Sequence, residues 1–152
     1  METRSVAVLG ATGGLGEAVV RRIARRAPVI VGYNGNQKKA DALVGLITAA
    51  GGKAVAVQAD MTSDAAVKRF VEQSASHWNG LGAIVSMTGP ALPLGSVAEM
   101  PEADFRRVYE TDVFGSFRLL KHGAAALKAA GGGCMVLCAT TAALRVLEND
   151  GM

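Results

Sequence analysis

The stretch LGATGGLGEAVVRR, residues 9–22, places four glycines within seven residues, directly after the apolar run Val6–Leu9. So much bare backbone costs conformational entropy and therefore needs a reason. A strand that leads through a glycine turn into a helix supplies one, because the unpaired N–H groups and partial positive charge of a helix N-terminus attract a phosphate. In such a turn Gly10 permits the tight bend, Gly14 lets a pyrophosphate approach the backbone, and Gly16 lets the helix pack closely on the sheet.

The glycine turn therefore predicts a dinucleotide-binding site, with a glycine-rich turn that holds no ligand as the alternative. No Lys follows the glycines, which argues against a phosphate loop of the Walker A type. The sequence also has no G-x-S-x-G elbow, which argues against a Ser-His-Asp hydrolase.

Short apolar runs recur along the chain and alternate with helical patterns. The runs are Val6–Leu9, Val29–Tyr33, Ala54–Gln58, Ala83–Met87 and Cys134–Ala139. Because they are nearly continuous in apolar residues, they predict parallel strands buried on both faces. The alternation predicts a single α/β domain over residues 1–152, with a doubly wound, Rossmann-like parallel sheet of five strands in the order 3-2-1-4-5.

Two details of the helical patterns can be predicted as well. The stripe that contains Val67 and Phe70 has Thr62 or Ser63 available as its N-cap. The stretch Pro101–Ala130 predicts a helix that bends near Gly115.

Composition limits the classes of partner and the compartment. Half of the 152 residues are hydrophobic, which suits one packed domain and argues against disorder. The net charge is +3, and four arginines fall between residues 21 and 26 of one predicted helix. Solvated helix charges explain them, and without an aromatic stacking platform no nucleic-acid partner is expected.

The two cysteines and the absence of targeting segments predict a cytoplasmic protein. Cys134 and Cys138 lie in an apolar run, so we expect two reduced thiols in the core. The chain shows neither a signal peptide nor an apolar run of transmembrane length, so no membrane partner is expected.

The chain resembles the short-chain dehydrogenase/reductase family over essentially all of its length, in order and at the right spacing. Gly10-x-x-x-Gly14-x-Gly16 is similar to the family's cofactor loop, and Gly10, Gly13 and Gly16 also fit the GxxGxxG spacing of its extended and atypical members. Further stretches resemble the family's third strand, the turn after strand four, the helix that carries an active-site Asn, and strand five, which ends at the catalytic Ser. They are GGKAVAVQADMT (51–62), LGAIVSMTG (81–89), DFRRVYETDVFGSF (104–117) and GGGCMVLCATTAAL (131–144).

This resemblance implies an NAD(P)-dependent oxidoreductase that transfers a hydride between the cofactor and a small carbonyl or alcohol substrate. It implies a homo-oligomer as well. Asn34 would lie at the adenosine ribose, Asp60 and Met61 at the adenine, and Ser86 at a ribose or the backbone. The pyrophosphate would be held by the loop residues Gly10, Thr12, Gly13, Gly14, Leu15 and Gly16.

Three positions of the implied site depart from the family pattern. Ser86-Met87-Thr88-Gly89 stands in place of the Asn-Asn-Ala-Gly turn and keeps only its glycine. Asp112 replaces the helix Asn, and an ionised Asp cannot donate a hydrogen bond as Asn does. Thr140 replaces the catalytic Ser and offers a similar hydroxyl on a β-branched side chain. The resemblance gives Thr140 the hydrogen bond to the substrate oxygen and Asp112 the proton-relay position.

The family's Tyr-x-x-x-Lys pair is absent from these 152 residues. Tyr33 and Tyr109 are the only tyrosines, and Gln37 and Val113 stand where the Lys would be. We therefore expect a C-terminally incomplete family member that ends just before this motif and is inactive by itself. The alternative is a non-catalytic dinucleotide-binding or sensing module.

The residues after the second strand bear on the choice of cofactor. No acidic residue, which would favour NAD, occurs between Gly32 and Asn36, and Lys38 and Lys39 follow. A 2′-phosphate would meet no repulsion there, which favours NADP and leaves NAD possible. No metal is expected, because His77 and His122 lack a second ligand at a usable spacing.

Overall fold

The computed structural model of the chain describes residues 3–90 and 96–140. Its strands are β1 (Ser5–Leu9), β2 (Val29–Tyr33), β3 (Ala54–Gln58), β4 (Leu81–Ser86) and β5 (Cys134–Leu137). They form one parallel sheet in the order β3-β2-β1-β4-β5, which confirms the predicted doubly wound α/β fold. The bounds of β2 and β3 are as predicted, whereas β5 ends at Leu137 rather than at Ala139.

The helices follow the strands as expected for right-handed crossovers. They are α1 (Gly14–Ile23), α2 (Gln37–Ala49), α3 (Asp64–Ser76), α4 (Glu102–Val108) and α5 (Gly115–Ala129), with a short 3₁₀ turn at Val97–Glu99. Ser63, rather than Thr62, caps α3, since its side chain accepts a hydrogen bond from the Ala66 N–H at 3.3 Å. No helix in the described part of the chain is long and apolar enough to cross a membrane.

The sheet separates two apolar clusters. On one face, Val20 of α1 and Leu43 and Ile47 of α2 pack against β1 and β2. On the other face, Phe70 of α3 and Leu119 of α5 lie with the remaining buried side chains. Because β1 and β2 are covered on both sides, their residues are almost all buried, as their sequence predicts.

Where the sequence predicts a bend near Gly115, the structure has a π-helical segment, Tyr109–Phe114, between α4 and α5. An added Cβ at Gly115 would lie 2.9 Å from the Cβ of Met61, so only glycine allows α5 to begin this close to the loop after β3. A row of large apolar side chains on α4, the π-helical segment and α5 faces solvent; it includes Phe105, Phe114, Phe117 and Leu120.

The prediction that both cysteines lie in the core is wrong. Cys134 and Cys138 are free and exposed, and so is Val136 between them. Among the strands of residues 3–90 and 96–140, β5 lies at the edge of the sheet and pairs with β4 alone. Met135 packs against the cluster beneath α5, whereas the alternate residues of β5 point to the other face, which the described helices leave open.

Candidate functional site

The carboxyl ends of the parallel strands meet at one edge of the sheet, and the predicted site residues lie along this edge. Gly10 follows β1, Asn34 follows β2, Asp60 follows β3 and Thr140 follows β5. The strand order reverses between β1 and β4, and ligands of doubly wound sheets bind in the crevice at such a reversal. The fold therefore brings residues that are far apart in sequence to one crevice.

Two glycines of the loop after β1 are required by the protein itself. Gly10 has φ +68°, and an added Cβ there would lie 2.6 Å from the carbonyl oxygen of Met87. At Gly16 an added Cβ would overlap the carbonyl oxygen of Gly10. The Gly13 N–H donates to that same Gly10 oxygen at 3.0 Å and closes the turn. Any side chain at Gly10 or Gly16 would force the turn open.

Gly14 differs from these two, since an added Cβ there meets no protein atom within 4 Å. It is the first residue of α1, and the preceding Gly13 provides no side-chain cap. The first intrahelical bond is donated by the Glu17 N–H to Gly13, so the N–H groups ahead of it at the helix start are available to a ligand. Open space in front of a helix N-terminus fits a pyrophosphate.

The other loop residues border this open space. Leu15 exposes 71% of its surface at the first turn of α1. Thr12 is half-buried in the same turn.

The loop between β3 and α3 is held in shape by its own side chains. Asp60 Oδ1 accepts hydrogen bonds from the Thr62 N–H at 2.9 Å and from Thr62 Oγ1 at 2.7 Å. These bonds engage one carboxylate oxygen and direct the other away from Thr62. Met61 is 4% exposed and packs against the start of α5.

Beside this loop, Asn34 is exposed, and its carbonyl oxygen accepts a hydrogen bond from Gln58 Nε2 at 3.0 Å.

The two lysines of α2 differ in their surroundings. Lys39 Nζ lies 3.6 Å from Glu17 Oε2, so its charge is partly compensated. Lys38 is exposed and forms no ion pair with any of residues 3–90 and 96–140.

The residues after β4 and β5 lie on the other side of the crevice. Ser86 is buried, and its hydroxyl lies 2.9 Å from that of Thr88. Either hydroxyl can be the donor, so Ser86 bonds to its own turn. Thr140 is exposed beyond the end of β5.

Asp112 lies in the π-helical segment, a type of irregularity that is frequent at functional sites. Its Oδ1 is buried and has no hydrogen-bond partner among the described residues. Burial raises the pKa of the Asp112 carboxyl above its ordinary value, because the charged form is less well solvated there. An unpartnered buried oxygen is costly, and a bound water or ligand group would relieve that cost.

We predict that Asp112→Asn stabilises the protein at pH 8 and that the gain disappears toward pH 4. Because the folded-state pKa is raised, the ionised carboxylate destabilises the folded state above that pKa, and protonation removes the penalty as the pH falls. An amide carries no charge to desolvate. Thermal unfolding of both proteins across this pH range measures the difference, which we expect to be a few degrees at pH 8.

The control for this prediction is Asp104→Asn in α4, where Asp104 lies 3.0 Å from Arg107. That substitution removes an ion pair and should give no gain in stability at pH 8. Equal or lower stability of Asp112→Asn at pH 8 would contradict the prediction.

One residue that contacts the β3–α3 loop was not predicted from the sequence. Arg118 of α5 donates a hydrogen bond to the Met61 carbonyl oxygen at 3.0 Å, across 57 positions of sequence. No local motif marks this arginine, which stands between Phe117 and Leu119 on α5. Only the packing of α5 against the β3–α3 loop identifies it.

Comparison with known proteins gives a consistent set of matches. Residues 4–149 match the family model described as short chain dehydrogenase. An uncharacterized oxidoreductase of Methylorubrum extorquens is 34% identical over 116 residues, which cover 76% of this chain and 46% of that protein. The hydroxynaphthalene reductase-like protein Arp2 of Metarhizium majus is 32% identical over 137 residues, 90% of this chain and 50% of that protein. The chain thus spans about half the length of the curated relatives it matches.

Solved structures show the same fold. A short-chain type dehydrogenase/reductase from Mycobacterium ulcerans superposes with a TM-score of 0.92 at 24% identity, covering 99% of this chain and 56% of that one. A short chain dehydrogenase from Mycobacterium avium gives a TM-score of 0.89 at 26% identity, covering 99% and 58% respectively.

Proposed function

The chain belongs to the short-chain dehydrogenase/reductase family, and from this premise we propose that it forms the cofactor-binding part of an NADP(H)-dependent oxidoreductase. The observation that carries the proposal is the open space at Gly14, in front of an uncapped helix N-terminus. A loop that needed glycine only for its own fold would need Gly10 and Gly16 but not Gly14. The third glycine is explained if a pyrophosphate occupies the place of its missing side chain.

The residues around the crevice have distinct roles in this proposal. The N–H groups at the start of α1 hold the pyrophosphate, and Leu15 covers it from the solvent side. On the adenosine side, Asn34 lies by the ribose, and Asp60 and Met61 lie by the adenine. The intramolecular hydrogen bonds of Asp60 orient its carboxylate before the ligand binds, which lowers the entropic cost of binding.

The proposed chemistry is transfer of a hydride between the bound nicotinamide cofactor and a small carbonyl or alcohol. Thr140 donates a hydrogen bond to the substrate oxygen from the end of β5. Asp112, with its unpartnered Oδ1, holds a water at the relay position. A protonated Asp112 can donate as an amide would, and its raised pKa favours that form.

Several finer features belong to the same proposal. NADP is the preferred cofactor, because Lys38 offers an exposed cation four residues after Asn34 and no acidic residue lies between Gly32 and Asn36. The exposed apolar row that contains Phe114 and Phe117 supports self-association, which light scattering would detect. We also propose a cytoplasmic location.

Calorimetric titration with NADPH and with NADH tests the proposal. We expect binding of both, with NADPH about tenfold tighter, and Lys38→Gln should reduce this preference without weakening NADH. Lys128→Gln in the last turn of α5, far from β2 in the sequence, is the matched control. Tighter binding of NADH would overturn the choice of NADP, whereas failure of both to bind would overturn the whole proposal.

A second candidate function is a dinucleotide-binding or sensing module without catalysis. The departures at Ser86, Asp112 and Thr140 favour it, as does the lack of a Tyr-x-x-x-Lys pair within these 152 residues. Both candidates bind the cofactor, so the measurement that separates them is turnover by a longer polypeptide that carries a Tyr-x-x-x-Lys pair after Thr140.

A further inference from the structure

Arg118 connects two parts of the proposed site that are far apart in sequence. Its Nη1 donates to the carbonyl oxygen of Met61 at 3.0 Å and, more weakly, to that of Glu110 at 3.4 Å. Its Nη2 forms an ion pair with Glu110 Oε1. The guanidinium also lies over the Phe114 ring, 5.9 Å from its centroid. With the side chain only 18% exposed, these contacts fix the guanidinium rather than leave it in solvent.

The partners of Arg118 show what it joins. Met61 lies next to Asp60 in the β3–α3 loop, on the adenosine side of the crevice. Glu110 lies in the π-helical segment, two residues before Asp112. The same two parts also touch at Gly115, where a Cβ would come within 3.2 Å of the Met61 carbonyl oxygen. The loop therefore rests on the start of α5, and Arg118 supplies the polar contact that holds it there.

We propose that Arg118 is a positioning residue that holds the β3–α3 loop against the π-helical segment and thereby places Asp60 and Met61 for the adenine of the cofactor. This inference rests on the proposed function, since it assumes that the loop binds adenine. The bond is made to a backbone carbonyl, so it constrains the path of the loop whatever side chain stands at position 61.

The chemistry of the guanidinium suits this role better than an ammonium would. Its planar fork donates from separate nitrogens to a carbonyl and a carboxylate at the same time. A lysine keeps the charge and can reach one of the two acceptors, but it cannot hold both in a fixed geometry. Arg118→Lys should therefore preserve part of the function, and Arg118→Met, which keeps only the apolar stem, should lose it.

The test measures affinity for two ligands, NADPH and adenosine 2′,5′-bisphosphate, which carries the adenosine end alone. For Arg118→Met we expect both dissociation constants to rise by about tenfold, and by the same factor, because the loss lies at the adenine end. For Arg118→Lys we expect a rise of about threefold. A merely structural role would lower the thermal midpoint but leave the affinity of the folded molecules unchanged.

Arg106→Met is the matched control. Arg106 forms the same kind of ion pair with Glu102, but its side chain is 76% exposed on α4. The Arg106→Met substitution should leave both dissociation constants unchanged. Glu110→Gln removes the ion pair while the Met61 contact can persist, so we expect a loss of affinity smaller than that of Arg118→Met.

The outcomes separate this inference from the function on which it rests. Unchanged affinity of folded Arg118→Met for adenosine 2′,5′-bisphosphate, in a protein whose wild type binds it, overturns the role of Arg118 alone. A loss confined to NADPH overturns it too, because the effect would then lie at the nicotinamide end. If Arg118→Met does not fold, the affinity of Arg118→Lys decides, and an unchanged value overturns the inference. A wild type that binds neither ligand overturns both proposals.

Discussion

Replacing Gly14 by valine is expected to abolish dinucleotide binding while leaving the fold intact. The added Cβ meets no protein atom within 4 Å, so the folded chain has room for it. The same side chain would stand where a pyrophosphate must approach the N–H groups at the start of α1. Calorimetry with NADPH should show no binding, and the thermal midpoint should shift only slightly, since valine is no poorer a helix former than the glycine it replaces.

Two further glycine variants serve as controls for this result. Gly16→Val should also abolish binding, but through the fold, because its Cβ would overlap the Gly10 carbonyl oxygen and the loop would have to open. Gly45→Ala lies on the exposed side of α2 with open space around it, so binding should persist and stability should rise by about 0.5–1 kcal/mol. A well-folded Gly14→Val protein with undiminished affinity would refute the assignment of the loop.

The second large effect concerns turnover. We expect the 152-residue polypeptide to reduce carbonyl compounds with NADPH at least about 10²-fold more slowly than an ordinary reductase, because a placed proton donor contributes about 10²–10⁴-fold to such rates. Neither tyrosine can replace that donor. Tyr33 is half-buried at the end of β2, and Tyr109 stacks on Phe105 at 4.6 Å on the outer side of the π-helical segment. Neither has a lysine four residues later.

This expectation is checked by following NADPH oxidation over a panel of aldehydes and ketones. The same panel with a longer polypeptide that carries a Tyr-x-x-x-Lys pair after Thr140 is the proper comparison. If that protein is active and the 152-residue chain is not, the oxidoreductase proposal gains support. Ordinary reductase rates from the 152 residues alone would show that another group donates the proton.

The sheet could be predicted from the sequence because its signals are local. Continuous apolar runs such as Val29–Tyr33 mark buried parallel strands, and the glycine turn after β1 marks the edge of the sheet where we propose that the cofactor binds. The roles of Gly10 and Gly16 follow from their spacing and agree with the close backbone contacts in the structure. Gly115 signalled an irregular helix, although the sequence did not indicate that the irregularity would be a π-helical segment.

Predictions that depended on tertiary packing were less successful. The cysteines of β5 look like core residues in sequence, but their burial depends on what covers the second face of an edge strand. Arg118 could not be identified at all, because its partner Met61 lies 57 positions away. The buried oxygen of Asp112 is likewise a property of its surroundings rather than of any motif.

The π-helical segment also determines the rotation of everything that follows it. Each residue advances an α-helix by about 100°, so the wider π turn shifts the faces of α5 relative to those of α4. Leu119 and Leu127 point into the core only with this offset in place. Straightening the segment into a continuous α-helix of the same length would turn these leucines away from the sheet, whereas deleting one residue, such as Val113, would remove the bulge and keep their direction. The irregularity is therefore part of the core's register, because it absorbs the residue that would otherwise rotate α5 relative to the sheet.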